Sequence, residues 1–367
     1  MNKKILAVGN SLSTMLRFRG ELFKKISNTY DITLFTPIDT DIHVSNNFEF
    51  RNNYLKNGRK ISFFPLFKFF NEFRKLLKND FDYILIYGAG VSFFAGFLLY
   101  FLNKKNKQIV FFFTGLGAIF VRKRYIFLKL ILIKLILPYI PDKIIVLNSD
   151  DKDLLLYNVK KPEFARKLHL MLGEGVPEGL SLNTNQSEHC IKRIVFASRP
   201  VLDKGCEEFK NIIYRFRQYN KVLPIDVYGF DKQNSGELPD SYFKELEMLG
   251  VTFNGRVSNL ERHLVSTDLV MIISTREGAN RILLECLKLN LLFIASEVPG
   301  IKNFVPDKLQ KHLLTDFCND EVAVKQINNI LNLSEIKNMN LKETMASDVK
   351  YLPMNKVFDF YEKNILC

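Results

Sequence analysis

Tryptophan is absent from this chain, which carries 33 phenylalanines and 14 tyrosines. With abundant Lys, Asn and Ile, that is the bias of an AT-rich genome, and it carries no function. Cysteine is sparse. Cys190, Cys206, Cys286, Cys318 and Cys367 form an odd, scattered set with no C-x-x-C pair. Such a set argues against a secreted disulfide framework and fits a reducing compartment. The five histidines lie apart from one another, so no His-based metal site is expected. Long apolar runs are missing too. The start has Lys3 and Lys4, then a short apolar run closed by Gly9-Asn10-Ser11, too short for a signal-peptide core. The most apolar stretch, Tyr125 to Pro141, is broken by Lys129, Lys134 and Pro138. It falls short of the roughly 20 apolar residues of a spanning helix, so no transmembrane segment is expected. No G-x-G-x-x-G follows the first strand-like run, which leaves a dinucleotide oxidoreductase without support. No nucleic-acid motif or aromatic stacking signature is present, so no nucleic-acid partner is expected.

What is present suits two domains. The 367 residues exceed one ordinary core, and 47% hydrophobic content can fill two. Charge is unevenly placed. Residues 1–180 hold 28 Lys and Arg against 15 Asp and Glu, a net +13, whereas residues 181–367 hold 24 of each. Residues 51–150 alone have 17 against 5. A basic half beside a neutral half implies that one domain meets an anionic surface. Solvated lysines that keep the protein soluble are the plainer alternative.

Short β-rich runs alternate with helical stretches. In the first half, strands are expected at Ile5–Val8, Ile32–Phe35, 82–87, Ile109–Phe113 and 143–147. Helices are expected near 15–27, from Pro65 onward, and at 92–102 and 124–137. The helix after Pro65 has Leu66, Phe69, Phe70, Phe73, Leu76 and Leu77 on one face, which suits packing on a sheet. A polar stretch, Leu180–His189, reads as a linker, and the alternation then restarts. Strands are expected at Arg193–Ala197, Ile225–Tyr228, 269–273 and 292–295, with helices near 205–218, 240–248, 259–265, 278–288 and 321–332. The expected domains are therefore 1–180 and 190–352, followed by a C-terminal helix over 353–367 that crosses back to the first. The alternation implies α/β architecture with parallel, Rossmann-like sheets. In such sheets ligands sit at the carboxyl ends of the strands.

The loops at those ends carry the candidate chemistry. Arg276-Glu277-Gly278-Ala279-Asn280-Arg281 follows an apolar run and opens a helical one that reaches Leu283 and Glu285. Gly278 permits a close approach, and first-turn amides with the helix dipole favour phosphate. Glu277 can then meet a sugar hydroxyl and Glu285 a ribose diol. Alone, the segment also fits a dipole-favoured acid plus a solvated glutamate. Ser198-Arg199-Pro200-Val201-Leu202-Asp203-Lys204-Gly205 places an Arg and a Lys five residues apart after another strand. Such a pair can clamp a diphosphate, the Arg through its fork and the Lys as a point charge. An ordinary basic loop would look the same. In the first half Gly9, Gly88, Gly90, Gly115 and Gly117 close strands and remove bulk where a substrate must approach, although each alone fits a simple turn.

Taken in order, these segments resemble retaining family 4 glycosyltransferases of the GT-B fold, two Rossmann-like domains facing across a cleft. Glu277 to Glu285 is similar to the family's E-x7-E element, and Arg199 and Lys204 to its phosphate-binding pair. Gly173-Glu174-Gly175-Val176 is similar to its G-x-G-V segment. Phe253-Asn254-Gly255-Arg256-Val257 resembles the loop whose backbone holds the base, and Ser296 to Ile301 resembles the segment after the next strand. Phe113-Thr114-Gly115-Leu116-Gly117 and Asp142 to Asp151 resemble a narrower subgroup that builds capsule, O-antigen and N-glycan precursors. It includes N-acetylgalactosaminyltransferases acting on undecaprenyl-diphosphate-linked sugars. Two departures stand out: Thr114-Gly115 where many family members carry a His, and Pro177 where an acid usually follows G-x-G-V.

The resemblance implies a retaining hexosyl- or N-acetylhexosaminyltransferase that takes UDP-sugar donors, GalNAc first among the sugars, in surface-polysaccharide or glycan assembly. Its acceptor would be a polyprenyl-diphosphate-linked saccharide. Glu277, Arg199 and Lys204 would be catalytic. Gly9, Val257, Gly278, Ala279, Asn280, Leu283 and Glu285 would join them in holding the donor, with Glu285 on the ribose. Thr114, Gly115 and Gly117 would face the acceptor. No cofactor or metal is required. The basic domain would sit on the anionic inner leaflet of a cytoplasmic membrane, with Arg74, Lys75, Lys78, Lys104, Lys105, Lys107, Arg122, Lys123 and Arg124 as candidate contacts. Rival readings are a non-catalytic nucleotide-sugar or lipid-binding protein, and a GT-B phosphorylase or UDP-HexNAc epimerase.

Overall fold

A computed structural model describes residues 2–37, 49–51, 63–102, 107–116, 120, 125–182, 190–219, 222–230, 238–257, 259–333, 335–348 and 351–366. The chain divides into two compact units. Unit 1 comprises Met1–Gly175 with Leu352–Cys367, and unit 2 comprises Val176–Tyr351.

Unit 1 is built on a seven-stranded sheet. Its strands are β1 Lys3–Val8, β2 Tyr30–Phe35, β3 Glu49–Arg51, β4 Tyr83–Tyr87, β5 Gln108–Phe113, β6 Lys143–Val146 and β7 Leu168–Leu170, in the order β3-β2-β1-β4-β5-β6-β7. Every pairing is parallel. All five residues of β4 are buried, as expected of a central strand covered on both faces. The chain runs outward from β1 to β3 and returns beside β1 as β4, so the strand order reverses between β1 and β4.

Right-handed crossovers then put α1 (Leu12–Ile26) on one face of this sheet. The same rule puts α2 (Phe63–Leu76), α3 (Ala89–Phe101) and α4 (Ile126–Ile131) on the other. Side-chain alternation agrees. Leu6, Val8, Ile84, Ile86, Phe111 and Phe113 share a cluster with Phe69 and Phe73 of α2 and Leu99 of α3. The apolar stripe from Phe69 to Leu77 thus packs on the sheet, with Phe69 and Phe73 stacked on Phe35. On the opposite face, Phe112 stacks between Tyr87 and Tyr361.

Two further helices follow β6: α5 (Ser149–Asn158), capped by the Asn148 side chain on the Asp151 amide at 2.8 Å, and α6 (Pro162–Lys167).

Unit 2 has a six-stranded, all-parallel sheet. Its strands are β8 Arg193–Ala197, β9 Ile225–Tyr228, β10 Val251–Phe253, β11 Asp268–Ile272, β12 Leu292–Ser296 and β13 Leu314–Thr315, in the order β10-β9-β8-β11-β12-β13. Its helices are α7 Cys206–Tyr219, α8 Asp240–Met248, α9 Arg281–Leu289, α10 Asp307–Leu313, α11 Asp320–Leu331 and α12 Glu335–Ser347. The order reverses once more, between β8 and β11. The chain then returns to unit 1 as α13, Met354–Asn364, which packs beside α1.

Some expectations need correcting. The helix expected near 259–265 is a 3-10 turn, Leu260–His263. The helix expected over 124–137 is α-helical only to Ile131 and continues as a π-helix, Leu132–Ile136. The helix expected from 278 begins at Arg281, because Asn280 is extended and caps it. The edge strands β3, β7, β10 and β13 have two or three residues each, too few to show a period of two. Residues 183–189 of the expected linker lie outside the described residues, as do Gly117, Lys104, Lys105, Arg122, Lys123 and Arg124. Among the described residues no helix is long and apolar enough to cross a membrane.

Candidate functional site

Because every strand of unit 2 is parallel, the loops after β8, β9, β10, β11 and β12 all leave the same edge of the sheet. The reversal between β8 and β11 opens a crevice there, the usual place for a ligand in an open α/β sheet. Two loops flank it, Ser198–Lys204 from β8 and 273–280 from β11. They are tied directly: the Asp203 carbonyl accepts from the Thr275 amide at 3.3 Å and from the Thr275 hydroxyl at 3.3 Å. Gly205 makes that approach possible. Its φ is +71°, and a Cβ there would lie 2.1 Å from Cγ2 of Ile273.

The approach brings Lys204 and Glu277 together. Lys204 Nζ donates to Glu277 Oε1 at 2.5 Å, with both side chains mostly shielded from solvent. Asn280 Nδ2 donates to the same oxygen at 2.9 Å. Asn280 has a second duty, since its Oδ1 accepts from the Leu283 amide at 2.9 Å and caps α9. The loop after β12 braces this turn from behind. Pro299 and Gly300 carbonyls accept from the amides of Glu277 at 3.3 Å and Asn280 at 3.4 Å. Gly300 has φ +76°, and a Cβ there would fall 2.1 Å from the Glu277 carbonyl oxygen. The Ser296–Ile301 segment therefore fixes the height at which Glu277 stands.

Glu285 lies just over one turn into α9 and is 7% exposed. Arg281 Nε donates to its Oε1 at 2.6 Å across an i,i+4 step. The E-x7-E spacing thus places one carboxylate before the helix on Lys204 and Asn280, and the other inside it on Arg281. Gly278 is buried in the turn between them, with Ala279 partly buried, and Leu283 is wholly buried on α9. Arg199 is exposed in the loop after β8. Val257 lies in the loop after β10, which is held to the end of β9 by the Gly229 amide on the Gly255 carbonyl at 2.7 Å. Among the described residues no group of three or more His, Cys, Asp or Glu could hold a metal.

Residues 191–332, which span this crevice, match the family "Glycosyl transferases group 1". The match supports a group 1 glycosyltransferase. Solved structures extend the likeness beyond that domain. Sucrose-phosphate synthase from Thermosynechococcus elongatus superposes with a TM-score of 0.72 at 16% identity, over 99% of this chain and 98% of that one. HepE of Anabaena, solved with UDP and glucose, gives 0.72 at 12% identity over 100% of both chains. The lipopolysaccharide outer core galactosyltransferase WaaB gives 0.60 at 14% identity over 99% of both. At these identities the structures establish the fold, and it is GT-B with two Rossmann-like domains. No curated protein sequence matches the chain.

In this glycosyltransferase fold, the remaining expected residues belong to unit 1. Gly9 ends β1 and donates its amide to the Phe35 carbonyl at 3.1 Å, beside the reversal between β1 and β4. Thr114 and Gly115 follow β5 and are partly buried. Two contacts go beyond what the sequence suggests. One is Arg281 on Glu285, visible only as an i,i+4 pair of opposite charges. The other is buried Arg19 of α1, which ion-pairs with Glu174 of the Gly173–Gly175 loop and lies 4.3 Å from the Tyr87 ring centroid. Burial pushes the Tyr87 hydroxyl well above its usual pKa, so it stays a neutral donor or acceptor toward Tyr361 at 3.2 Å.

Proposed function

We propose that the protein is a retaining family 4 glycosyltransferase. It transfers a hexose or N-acetylhexosamine, GalNAc first, from a UDP-sugar to a polyprenyl-diphosphate-linked saccharide during surface-polysaccharide or glycan assembly. The observation that carries this reading is the Lys204–Glu277 pair at the strand-order reversal of unit 2. A diphosphate entering there competes with Glu277 for the ammonium group. Once Lys204 turns to phosphate, the Glu277 carboxylate is released toward sugar hydroxyls. Arg199, exposed on the same loop, supplies the second cation. Arg281 occupies Oε1 of Glu285 and leaves Oε2 to accept from the ribose diol. The UDP and glucose held by HepE support a nucleotide-sugar donor. The likeness to WaaB, a lipopolysaccharide outer core galactosyltransferase, supports a surface-glycan acceptor.

Bond breaking places negative charge on the departing UDP, and the Arg199 and Lys204 cations oppose it. A front-face mechanism, as the family resemblance implies, has the leaving diphosphate take the acceptor proton. Thr114, Gly115 and Gly117 are assigned to the acceptor side. The +13 charge of residues 1–180 supports adsorption of unit 1 to the inner leaflet of the cytoplasmic membrane through residues such as Arg74, Lys75, Lys78 and Lys107.

UDP release measured with and without a lipid-linked acceptor tests the reaction, and acceptor-dependent release is expected. NMR coupling at the new anomeric centre should report an α-linkage, whereas a β-linked product from an α-linked donor would overturn retention. Lys204→Ala should lower kcat more than it raises KM, because the diphosphate gains charge in the transition state.

A further inference from the structure

One surface of unit 1 is apolar where charge alone would predict lysines. On α3, Phe93, Ala95 and Leu99 are buried against the sheet, while Phe97, Tyr100 and Phe101 are exposed. These three sit at i, i+3 and i+4, one outward stripe, and Phe101 is 68% exposed. Their rings touch one another: Phe97 and Phe101 centroids are 5.1 Å apart, and Tyr100 and Phe101 5.4 Å. On α4, Ile126, Phe127 and Leu130 are exposed in the same way, Phe127 at 70%.

The two helices are neighbours on one face of the sheet. Gly96 of α3 sits so close to the π-helical continuation of α4 that a Cβ there would lie 2.5 Å from Cγ2 of Ile136. The continuation itself exposes Leu135 at 44%, so exposed apolar side chains run from α4 along it to the level of α3. In unit 2 the exposed large apolar side chains Leu202, Met248, Val322 and Met339 lie on separate elements, and Tyr214 and Tyr219 share α7 five residues apart. Scattered exposure of that kind is ordinary, but a contiguous patch marks an interaction site.

The charge around the patch selects its occupant. From Tyr83 to Pro141 the sequence has no Asp or Glu, while Lys107 follows α3, and Lys129 and Lys134 lie on α4 and its continuation. A second copy docked face to face would set these cations against themselves. An anionic bilayer offers hydrocarbon to the rings and phosphate to the cations, with Tyr and Lys suited to the boundary.

We infer that the outer face of α3 and α4 inserts into the interfacial layer of an anionic lipid bilayer. This rests on the proposal that unit 1 meets such a leaflet, and adds that the contact is insertion and not adsorption alone.

The missing tryptophan makes the test clean. In the full chain, Phe127→Trp introduces the sole indole, and Tyr214→Trp in unit 2 is the control. Each is mixed with phosphatidylglycerol–phosphatidylcholine vesicles and with pure phosphatidylcholine, in 0.1 M and 1 M salt, using brominated acyl chains as quencher. Insertion predicts a blue shift and quenching at position 127 but not 214, and retention of a bound fraction on anionic vesicles at 1 M salt. Phe101→Ser with Phe127→Ser should lower vesicle affinity tenfold or more, about the worth of one buried ring, with UDP affinity unchanged. Binding that vanishes at 1 M salt without quenching overturns insertion and leaves electrostatic adsorption standing. No binding to any vesicle overturns both. A concentration-dependent dimer that the double variant disperses would make this face a contact between copies, and also overturns the inference.

Discussion

The two units repeat one topology and spend their charged residues differently. In unit 2, opposite charges sit at both edges of the sheet. Lys204 and Glu277 meet at the carboxyl end, and Arg193 bridges Asp226 and Asp268 at the amino end, with Nε and Nη2 on Asp268 at 2.9 and 2.7 Å. In unit 1 the reversal is closed by glycines, the deeply buried cation Arg19 is paired with Glu174, and the unbalanced charges lie on helices and the segments between them. The same strand order thus hosts an ion-handling crevice in one case and a cationic, apolar exterior in the other. Topology decides where a ligand can sit, and side chains decide which ligand that is.

The largest effect that would sharpen this contrast is on the rate. Glu277→Gln should cut transfer by about 10²–10³-fold while leaving UDP affinity largely intact, since such site contacts are worth roughly 3–4 kcal/mol. Turnover and calorimetry with UDP check both halves, and an active variant would remove Glu277 from the site. Arg193→Met addresses the other edge of the same sheet. It leaves the Asp268 carboxylate buried without its cation, so unfolding should become easier by about 3–5 kcal/mol, read by denaturant titration. UDP affinity of the folded fraction should not move, because Arg193 is at the opposite end of β8.

Smaller effects probe the crevice itself. Glu285→Ala should weaken UDP binding by about 10- to 100-fold, the value of a charged hydrogen bond at 1.5–3 kcal/mol. Unchanged affinity would remove the ribose assignment. Gly300→Ala forces a side chain into left-handed backbone and against the Glu277 carbonyl. It should lower kcat by moving Glu277 without altering its carboxylate, at a strain of about 1–3 kcal/mol. Full activity would show that the brace is unimportant. The smallest change, Lys75→Ala in unit 1, should lower binding to anionic vesicles by about 1 kcal/mol and leave UDP affinity untouched. An effect on UDP alone would break the division of labour between the units.

The strand–helix alternation is readable because both sheets are covered on two faces, so their central strands are continuous apolar runs such as Ile109–Phe113 and Leu292–Ala295. Edge strands escape notice because a two-residue strand such as Leu314–Thr315 carries no period. The start of α9 is three residues later than expected, since Gly278 and Ala279 look like a helix mouth until Asn280 is seen to cap. Lys204 and Glu277 can be nominated from their loops, but their mutual pairing depends on two strands that are adjacent only in the sheet. The Arg19–Glu174 pair is out of reach for the same reason. It joins positions 155 apart, and an arginine on an amphipathic helix reads as solvated until its burial is known.

The return of α13 sets an order of assembly. Tyr361 supplies one ring of the stack on Phe112 and a hydroxyl to Tyr87, so the interior of unit 1 is finished only by residues made after the whole of unit 2. Unit 2 is one uninterrupted segment of 176 residues, 176–351, and can close as soon as it leaves the ribosome. At about 5–20 residues per second, unit 1 waits roughly 9–35 s after residue 175 before its last helix is available. During that interval α1 and the Tyr87–Phe112 face stand without their cover. The part of the molecule begun first is therefore completed last, and a released chain truncated after residue 351 should present this aromatic face to chaperones while its crevice domain is native.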